Sequence, residues 1–288
     1  MLDEAKWHQL SHAANEQRVA ETFKRLDSAF DVILVKGWSV SRFYDAGHYR
    51  NSTDIDLLFS PTTGRENLED VEGLPDSIAI DAHFGPRHLD TLSFQDLFDR
   101  SYTVDLNDIP IRVLADEDNL RITSVHWLID GGVNREKLWD VYYLVKNRKA
   151  DFDWVRCLES NGPIRKTWVL AAIATARDHL DLDVSGIPEE AQTFVLPTWY
   201  KDTVEKEWKR GVYTRHRLST VLTRPKLLFE QLKRKLPPNP IAATIDTETP
   251  IDNRSRTPAQ IKSLTKKMSP FARGLGQRIT YSIRGKRQ

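Results

Sequence analysis

Two aspartates at alternate positions of a short apolar run, Asp54 and Asp56 in DIDLLF, constrain this chain more than any other feature. Residues two apart in a β-strand point to the same face, so the run predicts a strand with two neighbouring carboxylates. Such carboxylates repel each other and are costly to bury without a cation. A divalent metal such as Mg²⁺ relieves both problems and leaves room for substrate phosphates. The alternative is two solvated aspartates on an edge strand.

A glycine-bearing turn lies upstream of this strand. The apolar residues 32–35 predict a strand that ends at Lys36-Gly37, and a helix is predicted over 38–44. A helix N-terminus attracts anions, and a glycine there lets a phosphate approach the backbone closely. The alternative is an ordinary strand-to-helix turn. Arg50 is suited either to bind a phosphate or to pair with the aspartates. Lys36 is suited to the same two roles, and the alternative is a lysine that extends from a strand end into solvent.

The pattern resembles the uncharacterised bacterial family 5 nucleotidyltransferases, a branch of the polymerase-β-type nucleotidyltransferase superfamily. The resemblance covers roughly residues 20–160. It departs from the superfamily at Trp38, where Gly or Ser is usual, so that Ser39 would take that role one position later. The matching residues are Lys36, Gly37, Tyr44, Gly47, Arg50, the run from Asp54 to Leu58, Ile80-Asp81-Ala82-His83, His126 and Asp140.

The resemblance implies an acidic triad. A predicted strand over 77–84 carries Asp81 and His83 on one face, and Asp81 would join Asp54 and Asp56 as the general base or as a ligand of a second metal. His83 would contact the nucleotide or the acceptor; the alternative is a half-buried histidine paired with a neighbour. We interpret His126 and Asp140 as structural, as a buried polar pair joining helices to the sheet.

The implied activity is metal-dependent transfer of a nucleoside monophosphate from an NTP to a hydroxyl group, with release of pyrophosphate. The cofactor would be two Mg²⁺ ions, or Mn²⁺, held by Asp54, Asp56 and Asp81. Replacing Asp56 with Asn is expected to abolish transfer and to leave the fold intact or more stable, because it relieves like-charge repulsion. The predicted nucleotide-binding residues are Lys36, Gly37, Ser39, Arg50 and His83.

Two other functions remain open. One is an RNA-modifying toxin of a toxin–antitoxin or phage-defence pair, and the other is a non-catalytic scaffold that retains the fold. The acceptor is undetermined, because a small molecule, a sugar, a protein or RNA is compatible with the same motif.

The predicted fold is α+β: a small mixed sheet with flanking helices, followed by an all-helical domain. We expect a catalytic core over 1–115, a helical domain over 116–236, a Pro-rich linker over 237–257 and a basic amphipathic tail over 258–288. From Asn253 onward the chain has ten Lys and Arg residues and no acidic residue. The tail is therefore suited to contact RNA, an anionic membrane or an acidic protein surface.

Cellular location is predicted from three absences in the sequence. The N-terminus does not resemble a signal peptide, no apolar run has the length of a membrane span, and Cys157 is the only cysteine. These features predict a cytoplasmic protein.

Overall fold

A mixed five-stranded sheet forms in the computed structural model, which describes residues 4–26, 30–50, 52, 54–63, 79–211, 229 and 236–267. This confirms the predicted α+β class with a mixed sheet. The strands are β1 (Val32–Leu34), β2 (Asp54–Phe59), β3 (Ala79–Phe84), β4 (Tyr102–Leu106) and β5 (Ile109–Val113).

The strands are arranged in the order β3-β2-β1-β5-β4. β1 is antiparallel to β2 and parallel to β5, and β2 is parallel to β3. The hairpin between β4 and β5 turns at Asn107 and Asp108, which both have the positive φ angles typical of tight hairpin turns. β2 and β3 therefore run side by side at one end of the sheet.

Helices account for most of the remaining described chain. Most of their bounds follow from apolar periodicity and capping residues in the sequence, but the helix Pro240–Asp246 was not predicted. The sequence patterns over 63–71 and 218–235 also predict helices, but these two segments fall almost entirely outside the described residues. The helices are Glu4–Leu26, Gly37–Ser41, Phe94–Arg100, Asp116–Ile129, Leu138–Lys146, Trp154–Glu159, Gly162–Leu180, Glu189–Thr193, Thr198–Arg210, Pro240–Asp246 and 257–267.

The helix Glu4–Leu26 covers one face of the sheet with Val19, Phe23 and Leu26. Burial of this apolar surface stabilises the sheet. The alternate residues of β2 that join this core are Ile55, Leu57 and Phe59. Strand alternation therefore directs Asp54 and Asp56 to the opposite face.

The chain divides into two compact units: Met1–His126 with Glu136–Val195, and Trp127–Arg135 with Leu196–Gln288. This division differs from the predicted domains, because residues 136–195 group with the sheet rather than with the later helices. The difference has a physical basis in the first unit, where the helix Leu138–Lys146 contributes Asp140 to an ion pair with Arg50.

The predicted linker over 237–257 is wrong for its central part, which forms the helix Pro240–Asp246. Asn239 caps this helix by accepting hydrogen bonds from two backbone N–H groups, and Pro240 occupies a first-turn position where proline is favoured. Ile241 and Ala243 are fully buried in the second unit. Of the predicted tail, residues 258–267 continue a helix and 268–288 lie outside the described residues.

No helix in the described part of the chain combines the length and the apolar character needed to cross a bilayer.

Candidate functional site

Asp56 and Asp81 lie directly opposite each other on neighbouring strands. The parallel register of β2 and β3 pairs Asp56 with Asp81 and Leu58 with His83. Because both strands alternate in step, the side chains of Asp56, Asp81 and His83 project from the same face. Asp54 pairs with Ala79, at the first residue of β2, and is exposed.

Asp56, Asp81 and His83 could hold a metal ion together, because each offers one ligand atom within 4.8 Å of the other two. We call these three residues the metal-ligating group. His83 Nε2 lies 3.3 Å from Asp81 Oδ2 and 3.5 Å from Asp56 Oδ1. The Asp56 side chain is buried, whereas 56% of the Asp81 side chain is exposed. A bound ion would thus contact a buried carboxylate, Asp56, and an exposed one, Asp81, so that it would be accessible to solvent.

This group differs in one member from the predicted triad. His83, predicted to touch a nucleotide, takes the place expected for Asp54, whose participation as a metal ligand stays a prediction. Carboxylates suit Mg²⁺ and Mn²⁺, whereas an imidazole suits Zn²⁺ and other transition metals. The donor atoms therefore fit a divalent ion without identifying Mg²⁺.

Lys36 lies against the metal-ligating group. Its ammonium forms an ion pair with Asp56 Oδ1 and lies 3.5 Å from His83 Nε2. Burial raises the pKa of Asp56, but the His83 hydrogen bond and the Lys36 charge outweigh burial and hold the pKa below its ordinary value. Asp56 is therefore an ionised, paired carboxylate.

The turn after Lys36 positions this lysine. Lys36 has φ 56° and ψ −152°, and Gly37 has φ 44°. A Cβ added to Gly37 would lie 3.4 Å from Ser52 Oγ, which is tight but less restrictive than the positive φ. The positive φ thus favours glycine at this turn between β1 and the following helix.

The predicted phosphate-binding hydroxyl, in the helix Gly37–Ser41, is buried. Ser39 is fully buried, and its hydroxyl has no hydrogen-bond partner within the described residues. Its backbone carbonyl accepts hydrogen bonds from Arg42 and Asn119. Trp38 packs into the core of the sheet and donates its indole N–H to Glu16.

A cavity of about 260 Å³ lies beside the metal-ligating group. Carboxylates and basic side chains share its wall, as expected for a site that binds both a metal and an anion. Five of the predicted site residues line it, and His83 adjoins it through its contacts with Asp56 and Asp81. The lining residues are Lys36, Arg50, Ser52, Asp54, Asp56, Asp81, His126 and Lys137.

Arg50 is oriented by Asp140 rather than by Asp54 or Asp56. Its guanidinium donates two hydrogen bonds to the Asp140 carboxylate, at 2.7 and 2.9 Å, and Tyr44 donates a third at 2.8 Å. Burial lowers the pKa of Arg50, but the charge of Asp140 outweighs it, so the pKa lies above its ordinary value. Burial and Asp140 both raise the pKa of Tyr44. Asp140 thus forms a buried pair with Arg50, whereas the predicted pair was Asp140 with His126.

Three cavity residues lie outside the predicted site: Ser52, Lys137 and His126, which was interpreted as structural. Ser52 donates its hydroxyl to the Asp54 carbonyl, and only its place in a polar turn distinguishes it in the sequence. Lys137 precedes the helix Leu138–Lys146 and has no motif around it. Their presence in the cavity depends on how distant segments meet.

A second cavity, of about 310 Å³, lies elsewhere in the first unit and contains none of the predicted site residues. Several of its polar groups are already paired: Tyr102 donates to Asp116, and Glu117 accepts from the Asp153 backbone. It is lined by Tyr102, Ala115, Asp116, Glu117, Lys149, Asp151, Phe152, Asp153 and Arg156.

Comparison of the chain with protein-family models, curated proteins and solved structures finds no match.

Proposed function

We propose that the chain is a metal-dependent nucleotidyltransferase that moves a nucleoside monophosphate from an NTP to an acceptor hydroxyl. The observation that carries this proposal is the pairing of Asp56 with Asp81 on adjacent parallel strands, beside a cavity lined by Lys36 and Arg50. Carboxylates that hold a metal, next to cations that bind phosphate, are what phosphoryl-group transfer requires. The family resemblance, and the assignment of the sheet and later helices as a catalytic core and a helical domain, belong to this proposal.

Asp56, Asp81 and His83 would hold a divalent ion, and Asp54 lines the same cavity. When bound, such an ion supplies Lewis-acid activation of the phosphate and neutralises charge on the leaving group. Arg50, fixed by Asp140, would place its guanidinium against the phosphates of the NTP. Gly37 would allow the backbone to lie close to them.

In the proposed transfer, the acceptor oxygen forms a bond to the α-phosphorus. The bond from that phosphorus to the bridging oxygen breaks, and pyrophosphate leaves with the electron pair. A base takes the proton of the acceptor hydroxyl, and Asp81 is suited to this because its carboxylate is exposed beside the cavity.

The test is incubation of the purified chain with each α-labelled NTP, Mg²⁺ or Mn²⁺, and fractionated cell extract. Label is expected in one acceptor fraction, and Asp56→Asn is expected to reduce its incorporation about a thousandfold, because metal-assisted charge stabilisation amounts to several kcal/mol. Asp105→Asn is the matched control, since Asp105 is a strand aspartate on β4, at the far edge of the sheet.

The outcomes separate the open functions. Label in the RNA fraction supports an RNA-modifying enzyme, whereas label in protein or small molecules assigns the acceptor to those classes. No incorporation from any NTP with either metal would contradict the proposal and favour a non-catalytic scaffold.

A further inference from the structure

Lys36 is a buried lysine in an unusual backbone conformation. Only 6% of its side chain is exposed. Its φ of 56° with ψ of −152° lies in a region that residues other than glycine rarely occupy. Such conformations are energetically costly and persist where the surrounding structure enforces them. The conformation therefore places the Lys36 side chain at a particular position in the site.

That position coincides with the metal-ligating group. The Lys36 ammonium contacts Asp56 Oδ1 and lies 3.5 Å from His83 Nε2. Asp56 and His83 are two of the three residues able to hold a metal ion. An ammonium and a divalent cation repel each other strongly at such distances. The Lys36 ammonium and a metal ion therefore cannot both contact Asp56 and His83 at the same time.

We propose that the Lys36 ammonium is an internal counter-cation that a divalent metal ion must displace from Asp56 and His83. Without a metal, Lys36 neutralises the buried Asp56 carboxylate, which would otherwise be costly to bury. Lys36 also lines the cavity, so the displaced ammonium remains beside the space where phosphates would bind. This inference rests on the metal site of the proposed function.

The exchange couples metal and anion binding. Metal binding releases a positive charge to the cavity wall, and an anion that binds this charge keeps it away from Asp56. By thermodynamic linkage, each ligand then tightens the binding of the other by the same factor. Until a metal ion binds, the Lys36 ammonium offsets the charge of the Asp56 carboxylate.

The first test measures Mn²⁺ binding to the full chain without nucleotide, by calorimetry and by electron paramagnetic resonance. Lys36→Met is expected to lower the Kd for Mn²⁺ about tenfold or more, because the competing charge is gone. Lys149→Met is the matched control, since Lys149 pairs with another buried carboxylate, Asp116, at 3.3 Å. Equal affinities for the wild-type and Lys36→Met chains would overturn the inference and leave the metal site standing.

The second test needs no variant and therefore holds even if Lys36→Met fails to fold. An amine-reactive reagent is applied with and without Mn²⁺, and modification of each lysine is measured by mass spectrometry. Modification of Lys36 is expected to rise severalfold with Mn²⁺ while that of Lys149 stays constant. Unchanged Lys36 modification in a chain that binds Mn²⁺ would overturn the inference, and the absence of any Mn²⁺ binding would overturn the proposed metal site together with it.

Discussion

At the scale of single residues, the contribution of Asp56 to stability depends on the residues that its carboxylate contacts. Its carboxylate is buried and is paired with Lys36 and His83. From the sequence, repulsion by Asp54 was expected to dominate, so that Asp56→Asn would be neutral or stabilising. The contact with Lys36 reverses this expectation, because the substitution leaves a buried ammonium without its charged partner.

Asp56→Asn is therefore expected to lower the free energy of unfolding at pH 7 by about 3 kcal/mol, as for a broken buried ion pair. The folded pKa of Asp56 lies below the ordinary value of 3.8. Its carboxylate thus stabilises the fold above pH 3.8, and that contribution is lost as the pH falls through the folded pKa. Urea unfolding of both chains at pH 7 and near pH 3 should show the difference shrinking. A difference independent of pH would contradict this account.

At the scale of elements, one buried ion pair connects two segments of the first unit. Arg50 precedes β2, Asp140 lies in the helix Leu138–Lys146, and Tyr44 donates its hydroxyl to the same carboxylate. The helix therefore fixes the guanidinium that lines the cavity. A bidentate pair of this kind constrains orientation as well as distance.

Asp140→Asn is expected to destabilise the chain by about 3–5 kcal/mol, because Arg50 would lose its partner. In a double-mutant cycle with Arg50→Gln, the coupling energy is expected to be about 1–3 kcal/mol by chemical denaturation. The control is the exposed pair that Asp45 forms with Lys146, a residue of the same helix as Asp140. This pair should couple more weakly. Additive effects of the two substitutions would show that the pair does not act as a unit.

At the scale of the whole molecule, each of the two units has a buried interior of its own. The first contains the sheet and the site. In the second, Trp208 donates its indole N–H to the Gly132 carbonyl, and Asn239 donates to the Gly131 carbonyl. These contacts join the segment around Gly131 to residues that follow it by more than seventy positions.

A chain ending at Asn239 is accordingly expected to be less stable than one ending at Lys267. The shorter chain lacks the buried isoleucines Ile241, Ile245 and Ile251, each of which contributes about 1.5–3 kcal/mol by burial. Melting curves of both truncated chains test this. In the full chain, Ile241→Ala should lower the melting temperature and Ile261→Ala, at an exposed position, should not. Equal stability of the two truncated chains would instead support the predicted end of the helical domain at residue 236.

The sequence by itself determined the local structure of this protein. Alternation in DIDLLF is enough to place Asp54 and Asp56 on one face of a strand, and IDAH does the same for Asp81 and His83. The turn at Lys36-Gly37 and most helix bounds follow from equally local patterns. These features depend on neighbouring residues, whose spacing is fixed by backbone geometry.

Only the tertiary structure decided which of these residues meet. The register of β2 against β3 sets Asp56 opposite Asp81. His83, two residues after Asp81, completes the metal-ligating group, which does not include Asp54. The backbone at Lys36 brings its ammonium to Asp56, and the helix Leu138–Lys146 brings Asp140 to Arg50, ninety residues away. Strand register and contacts between distant segments depend on the packing of the whole unit, and no local pattern in the sequence encodes them.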